Sequence, residues 1–257
     1  MAVRHIYFAG LCLIAAPAWA ADGDFLSAAP EIGQLQATSG WYARADLNYS
    51  FEQSIKGDRV YVSPAGAEGG SAYMGKEPIS GGVGIGYQFN SIFRADMSAR
   101  YGQNDVFAVG DTSLACGVAC RIEASTSQNV LDLDVNLYAD LGTIMGFTPY
   151  VGAGLGGSYV SYDSVGGELC GVTACLDQVF ARGDSDWRLS WSLMAGVAYS
   201  ISEQLMLDLG YRYTDIAGGD ALSGQLQLAG GGLQDFTLKD NGIHRHTVSA
   251  GLRFRFQ

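Results

Sequence analysis

The chain is 257 residues long, with 15 Lys and Arg against 26 Asp and Glu and a formal net charge of −11. That balance excludes a nucleic-acid binder working through a basic face. Outside an N-terminal run at 6–16, no apolar segment approaches the ~20 residues of a helical membrane span, so a membrane crossing has to be made by strands.

At the N-terminus Arg4 and His5 precede the apolar run, and Ala18-Trp19-Ala20 has the small-x-small form of a cleavage signal. Residues 1–20 are therefore expected to be a secretory signal peptide. The mature chain would start near Ala21 and, without Arg4, carry a charge of about −12. Cys12 follows Leu11, a large residue, which does not match a lipoprotein site. Residues 21–40, with Pro30 and Gly33, predict a short periplasmic lead segment, and residues 41–257 the folded body.

Eight stretches of that body alternate apolar with polar residues: 41–51, 83–89, 93–101, 131–141, 151–159, 189–199, 205–213 and 246–256. Period two means strands with two unlike faces. Each is close to the ~9–11 residues that a tilted strand needs to cross a bilayer. In the last, His246-Thr-Val-Ser-Ala-Gly-Leu-Arg-Phe-Arg-Phe256, even positions are mostly apolar and odd ones are hydroxyl, glycine or arginine. The connections alternate as well. Residues 90–92, 142–147 and 202–204 predict tight turns, whereas roughly 52–80, 102–128, 160–186 and 214–242 are long and rich in Gly, Ser and Asp. Segment 58–63 predicts strand extension above the membrane rather than the extra hairpin that a ten-stranded barrel would need. The fold expected is all-β: an eight-stranded antiparallel up-and-down transmembrane β-barrel with four long extracellular loops.

Alternation alone does not say which face points inward, because a soluble barrel shows it too. Aromatic residues at strand ends on the apolar face, such as Trp41, Tyr87, Phe93, Tyr199 and Phe254, suit the girdles where hydrocarbon meets headgroups. Glycine is frequent on the polar face, as at Gly82, Gly84 and Gly86 and again at Gly152, Gly154 and Gly156. In a narrow lumen those positions make room for large side chains from other strands. The lopsided connections, and an end one residue after an aromatic-terminated strand with no periplasmic domain to follow, point the same way. The polar faces carry Arg44, Arg94, Arg100, Arg188, Arg212, Arg253 and Arg255 against Asp46, Asp96, Asp132, Asp134, Asp140 and Asp208. These nearly cancel and predict lumen ion pairs. Antiparallel order should bring Arg94 to Asp140, Arg100 to Asp132 or Asp134, and Asp208 and Asp46 towards Arg253.

Four cysteines follow the signal, Cys116 and Cys120 in one long connection and Cys170 and Cys175 in the next. An even number in an exported chain suggests disulfides, and pairing within each short loop is the simplest of three connectivities. A zinc site made of the four has no CxxC spacing or histidine to support it. The glycines from Gly152 to Gly157 satisfy GxGxxG, but Ser158 to Tyr162 continue as strand, and a dinucleotide site needs a helix there. His244 and His246, two apart at the outer end of the last strand, could ligate a metal or haem iron, or form an interfacial polar pair. Ser249 lies three residues after His246, on the opposite face, which argues against acyl transfer. Inward aspartates each have an arginine available, so neutralisation is expected rather than proteolysis. Arg182-Gly183-Asp184 stands just before a strand, where the backbone is too stiff for an exposed adhesive tip.

Phe93-Arg-Ala-Asp96, Thr148-Pro-Tyr-Val-Gly-Ala-Gly-Leu-Gly156, Leu207-Asp-Leu-Gly-Tyr-Arg-Tyr213 and Gly251-Leu-Arg-Phe-Arg-Phe256 resemble the small porin-like outer-membrane proteins of alphaproteobacteria, which are related to opacity proteins and the OmpA-type barrel. The resemblance covers about residues 41–257; Gln257 after the terminal aromatic and the paired loop cysteines depart from it. It implies an abundant envelope protein in contact with outer-membrane lipid and lipopolysaccharide and inserted by the barrel-assembly machinery. Relatives are credited with small-solute passage, adhesion or haem binding. It implies no catalytic residue and no cofactor. Two roles are expected from the lumen charges, a structural surface protein plugged by its own ion pairs or a narrow pore, while a receptor or adhesin would act through the loops for a host or haem ligand.

Overall fold

The structure, a computed structural model, describes residues 39–55, 60–63, 67–69, 71–74, 79–112, 120–170, 175–227 and 233–256. The expected signal peptide, all but the end of the lead segment, and Cys116 lie outside the described residues. Eight long strands carry the fold: β1 (Gly40–Ile55), β2 (Ile79–Gln88), β3 (Phe93–Thr112), β4 (Cys120–Asp140), β5 (Phe147–Tyr162), β6 (Ser185–Ser200), β7 (Leu205–Gln227) and β8 (Leu233–Arg255). Each pairs antiparallel with its chain neighbours, and β8 returns to pair with β1 from Tyr42↔Arg255 to Ile55↔Ile243. The barrel is closed. Closure leaves none of the eight a free edge, which a backbone surrounded by lipid requires.

The tight connections have local causes. Asn90 turns the chain between β2 and β3 by accepting the Ile92 and Phe93 amides on its side-chain oxygen, each at 2.8 Å. Between β4 and β5 the chain takes left-handed conformations at Gly142, Met145 and Gly146, with φ of 101°, 52° and 83°. Ser202 accepts the Leu205 amide at 3.0 Å at the start of β7.

Through the membrane belt the apolar face points out. Leu47, Val83, Met97, Leu137, Leu155, Leu189 and Leu252 are exposed, while Arg94, Asp132, Asn136 and Arg253 are buried. This is an inside-out barrel, with aromatic rings banding both rims. Trp41, Tyr87 and Phe89 stack edge to face at the periplasmic rim, and Tyr159 meets Trp187 at the outer one, ring centroids 5.4 Å apart.

Towards the exterior the polarity of the two faces reverses. Inward positions include apolar residues at Val106, Val130, Val160, Ile216 and Ile243, all buried, interspersed with the buried polar Asn104, Gln128 and Asp240. Outward positions become polar at Gln103, Asp105, Ser127, Asn129, Ser161 and Asp215. Period two is kept and its sign flips, as expected where a barrel leaves hydrocarbon and enters water. The strands run on well past the lengths read from the sequence: 20 residues for β3, 21 for β4, and 23 each for β7 and β8. Much of what was expected as the second and fourth long connections is therefore strand.

Short strands lie beyond. Val60–Ser63 pairs with Ala67–Gly69 and with β8; Val165–Cys170 pairs with β4 and with Cys175–Gly183, which in turn pairs with β7. Within the described part of segment 58–63, Val60–Ser63 is a separate short strand laid on the extension of β8. Across β5 the glycine motif continues as strand from Phe147 to Tyr162, with no helix to receive a phosphate.

Candidate functional site: the lumen

The inward residues form three stacked layers. At the periplasmic end Arg94 lies between two tyrosine faces, its guanidinium carbon 4.0 Å from the Tyr138 centroid and 4.7 Å from that of Tyr150. Its Nε donates to Asp140 at 3.1 Å, an oxygen pair that Gln88 also contacts, while Nη1 and Nη2 make no hydrogen bond among the described residues. Arg253 sits beside Asp208 at 3.2 Å and over the ring of Tyr42, whose hydroxyl donates to Asp96 at 3.1 Å. Arg255 ends β8, half-buried, its amide bonded to the Gln204 carbonyl at 2.8 Å.

In the middle layer Arg44 grips Asp46 with two donors, at 2.9 and 2.8 Å, and reaches Asp96 and the Tyr138 hydroxyl. The expectation that Asp46 would lean towards Arg253 is not met. The register sets Arg44 opposite Arg253, so two cations face each other across the closing seam. They turn apart, Arg44 to the aspartate two residues along its own strand and Arg253 to Asp208 on β7. Asn136 donates to Asp96 and Ser98, and Arg212 to Asn136 and Ser192, with Asp134 farther from Arg212 at 3.9 Å. Arg100 bridges Asp134 at 2.7 Å and Asp132 at 3.3 Å. Asp132 also accepts from Ser158 at 2.6 Å and from Arg245.

The outer layer lies beyond the middle one. Arg188 meets Asp240 at 2.7 Å and the Asp220 carbonyl at 2.8 Å, and Tyr162 donates to the same Asp240 carboxylate at 3.0 Å. Around this polar knot Val106, Val130, Val160, Tyr162, Ile216, Ala221, Leu222 and Ile243 form one buried apolar cluster inside the barrel.

Glycine makes these layers possible. A methyl group at Gly82 would stand 2.9 Å from Arg100 Cγ, and one at Gly152 would stand 2.6 Å from the ring of Tyr138. Both strands have to present a bare backbone where a long side chain crosses.

Sequence reasoning missed two members, Asp240 and Arg245. Both fall in residues assigned to a loop or just before the last predicted strand, and the reversed face polarity hid the continuation. The other sequence-predicted groups stand elsewhere. His244 and His246 face outward at the outer rim, and Ser249 donates to the Gly210 carbonyl at 3.4 Å. Cys170 is in register with Cys175, and Cys120 with Thr112. Arg182 and Gly183 lie in a short strand paired to β7, and the backbone of Asp184 bonds to Ala221 and Tyr162 at 3.0 Å, which holds that tripeptide flat. Among the described residues no group of three His, Cys, Asp or Glu side chains encloses a metal position.

A model of the family described as outer membrane protein β-barrel domain matches residues 6–256. An uncharacterized protein of Brucella suis biovar 1 is 33% identical over 257 residues, 86% of each chain. A candidate adhesin of Rickettsia bellii is 25% identical over 215 residues, 83% of this chain and 87% of its own. The solved structure of the outer membrane protein OprG from Pseudomonas aeruginosa matches 86% of this chain and 97% of its own, with a TM-score of 0.50 and 16% identity, a likeness of fold.

Proposed function

The chain belongs to the outer membrane protein β-barrel domain family, and from that premise we propose that it is a sealed surface barrel: a structural protein of the outer membrane whose lumen passes no bulk solute. Its role lies in what the strands carry above the membrane. One observation supports this above the rest. The lumen is filled twice over, by an arginine–aspartate network through the belt and by an apolar cluster with the Arg188–Asp240 knot above it. An ion crossing would have to displace paired buried charges and then pass a segment narrowed by apolar side chains around the Arg188–Asp240 pair, and each step is costly.

The long extensions of β3, β4, β7 and β8 raise a stiff platform on the outer side, which favours surface display. The similarity to a candidate adhesin fits the same reading. In this proposal residues 1–20 direct export and are removed, the barrel-assembly machinery inserts the remainder, and outer-leaflet lipopolysaccharide surrounds it. No side chain is assigned a catalytic role and no cofactor is required.

Planar-bilayer recording on the refolded mature protein tests the seal. The native barrel should show rare, small openings, and Arg100→Ala combined with Ile216→Ser should raise conductance severalfold. Steady native conductance of the kind shown by a large general porin would replace the sealed barrel with an open narrow pore.

A further inference from the structure

On the outer rim, outside the lumen, β8 carries His244 and His246 on one face. Two imidazoles at i and i+2 on a strand project side by side, the spacing at which one cation can accept a nitrogen from each. Both rings are oriented by β7 through the same atom. Nδ1 of His246 lies 2.7 Å from the Tyr211 hydroxyl, and Nδ1 of His244 lies 2.8 Å from the Tyr213 hydroxyl and 3.0 Å from an Asp215 carboxylate oxygen. At His244 the Asp215 carboxylate favours the proton on Nδ1 and leaves Nε2 as the bare lone pair, the arrangement behind ligating histidines in metal proteins, and at His246 the Tyr211 hydroxyl can accept from Nδ1 in the same way. Phe51 and Tyr213 flank His246, with ring centroids 6.0 and 5.1 Å away, so the imidazoles are walled as well as tethered.

The setting suits a dication. Asp215 stands against His244 and supplies a negative charge beside the pair. The height is right too: the outward face changes from aromatic at Tyr211 and Tyr213 to polar at Asp215, which puts the histidines at headgroup level and within reach of water.

We propose that Nε2 of His244 and Nε2 of His246 form an open two-nitrogen chelate for a borderline transition-metal dication, Cu2+ before Zn2+, with water completing the coordination. Imidazole selects this class over Mg2+ and Ca2+, which take oxygen ligands, and copper leads the affinity order for nitrogen donors. Tyr211, Tyr213 and Asp215 are positioning residues that act through the rings.

Titration of tag-free, folded mature protein in detergent with Cu2+, Zn2+ and Mg2+ tests the site, alongside electron paramagnetic resonance of the Cu2+ form. The expected result is one Cu2+ per chain with coupling to two imidazole nitrogens, weaker Zn2+ binding and no Mg2+ binding. His244→Gln and His246→Gln should each weaken Cu2+ binding about tenfold or more, and Asp215→Asn should weaken it while both nitrogen couplings remain. Heat-modifiable gel migration checks that each variant is still a closed barrel. Unchanged Cu2+ stoichiometry and affinity in the double histidine variant, or a spectrum without two nitrogen couplings, overturns the assignment.

Discussion

Arg94 illustrates how a charge is kept inside a barrel that lipid surrounds. One carboxylate and two aromatic faces hold it, so its neighbours must leave room for the stack. A methyl at Gly152 would meet both the Tyr138 ring and, at 2.8 Å, the Leu137 carbonyl, neither of which can yield freely. Gly152→Ala should therefore lower barrel stability by about 1–3 kcal/mol. At Gly81 a methyl meets nothing within 4 Å, so Gly81→Ala should be neutral. Urea unfolding in lipid vesicles compares the two, and equal effects would show that the crossing of Tyr138 over β5 does not constrain that position. The Arg253–Asp208 pair gives a second residue-scale expectation. Removing one buried partner strands the other, so Arg253→Ala should cost about 3–5 kcal/mol. The double change Arg253→Met with Asp208→Leu removes both charges and should recover most of that loss. If the double variant is as unstable as the single, packing around the guanidinium rather than unpaired charge accounts for the cost.

At the scale of the strand, the number of crossings, their order and the inward set from Arg44 to Arg253 can all be read from alternation, because hydrocarbon on one side and a packed lumen on the other force a period of two. Strand length cannot be read by the same rule. At Val130, Val160, Ile216 and Ile243 the apolar residues move to the inside, and a search for apolar-outward alternation stops there although the strand continues. Asp240 and Arg245 are hidden from the sequence for that reason, and the partner of Asp46 is hidden for another: the sequence shows which face a charge is on, not that Arg44 and Arg253 share a register and repel. The hairpin of Val165–Cys170 and Cys175–Gly183 carries a further expectation. Its register sets Cys170 opposite Cys175, as a cross-strand disulfide requires. Peptide mapping of the oxidised protein should recover Cys170 joined to Cys175, a short ring that stiffens the hairpin without tying it to the barrel. Recovery of Cys120 joined to Cys170 would instead show that β4 is stapled to the hairpin, since Arg121 is in register with Cys170.

For the whole molecule, the reversal of face polarity predicts where the membrane ends, and with the tight turns at the opposite end it predicts which way the barrel stands. Leu133, Val135 and Leu155 face outward within the belt, Asp105 and Ser161 face outward above it, and Ile144 and Met145 lie in the tight turn at the opposite end. Single cysteines placed at these positions, in a background whose native cysteines are serine, should react differently with a membrane-impermeant maleimide. Positions 105 and 161 should label on intact cells, position 145 only after the outer membrane is permeabilised, and positions 133 and 155 in neither case. A closed barrel with every strand edge paired should also migrate faster in detergent gels before boiling than after, for each labelled variant alike. Labelling of position 145 on intact cells would invert the barrel and put the apolar cluster and the histidine pair on the periplasmic side. Labelling of position 133 or 155 would mean that water reaches the face assigned to lipid, and the outer boundary would then have to lie lower on the strands than the change from Tyr101 to Gln103 and from Leu131 to Asn129 places it.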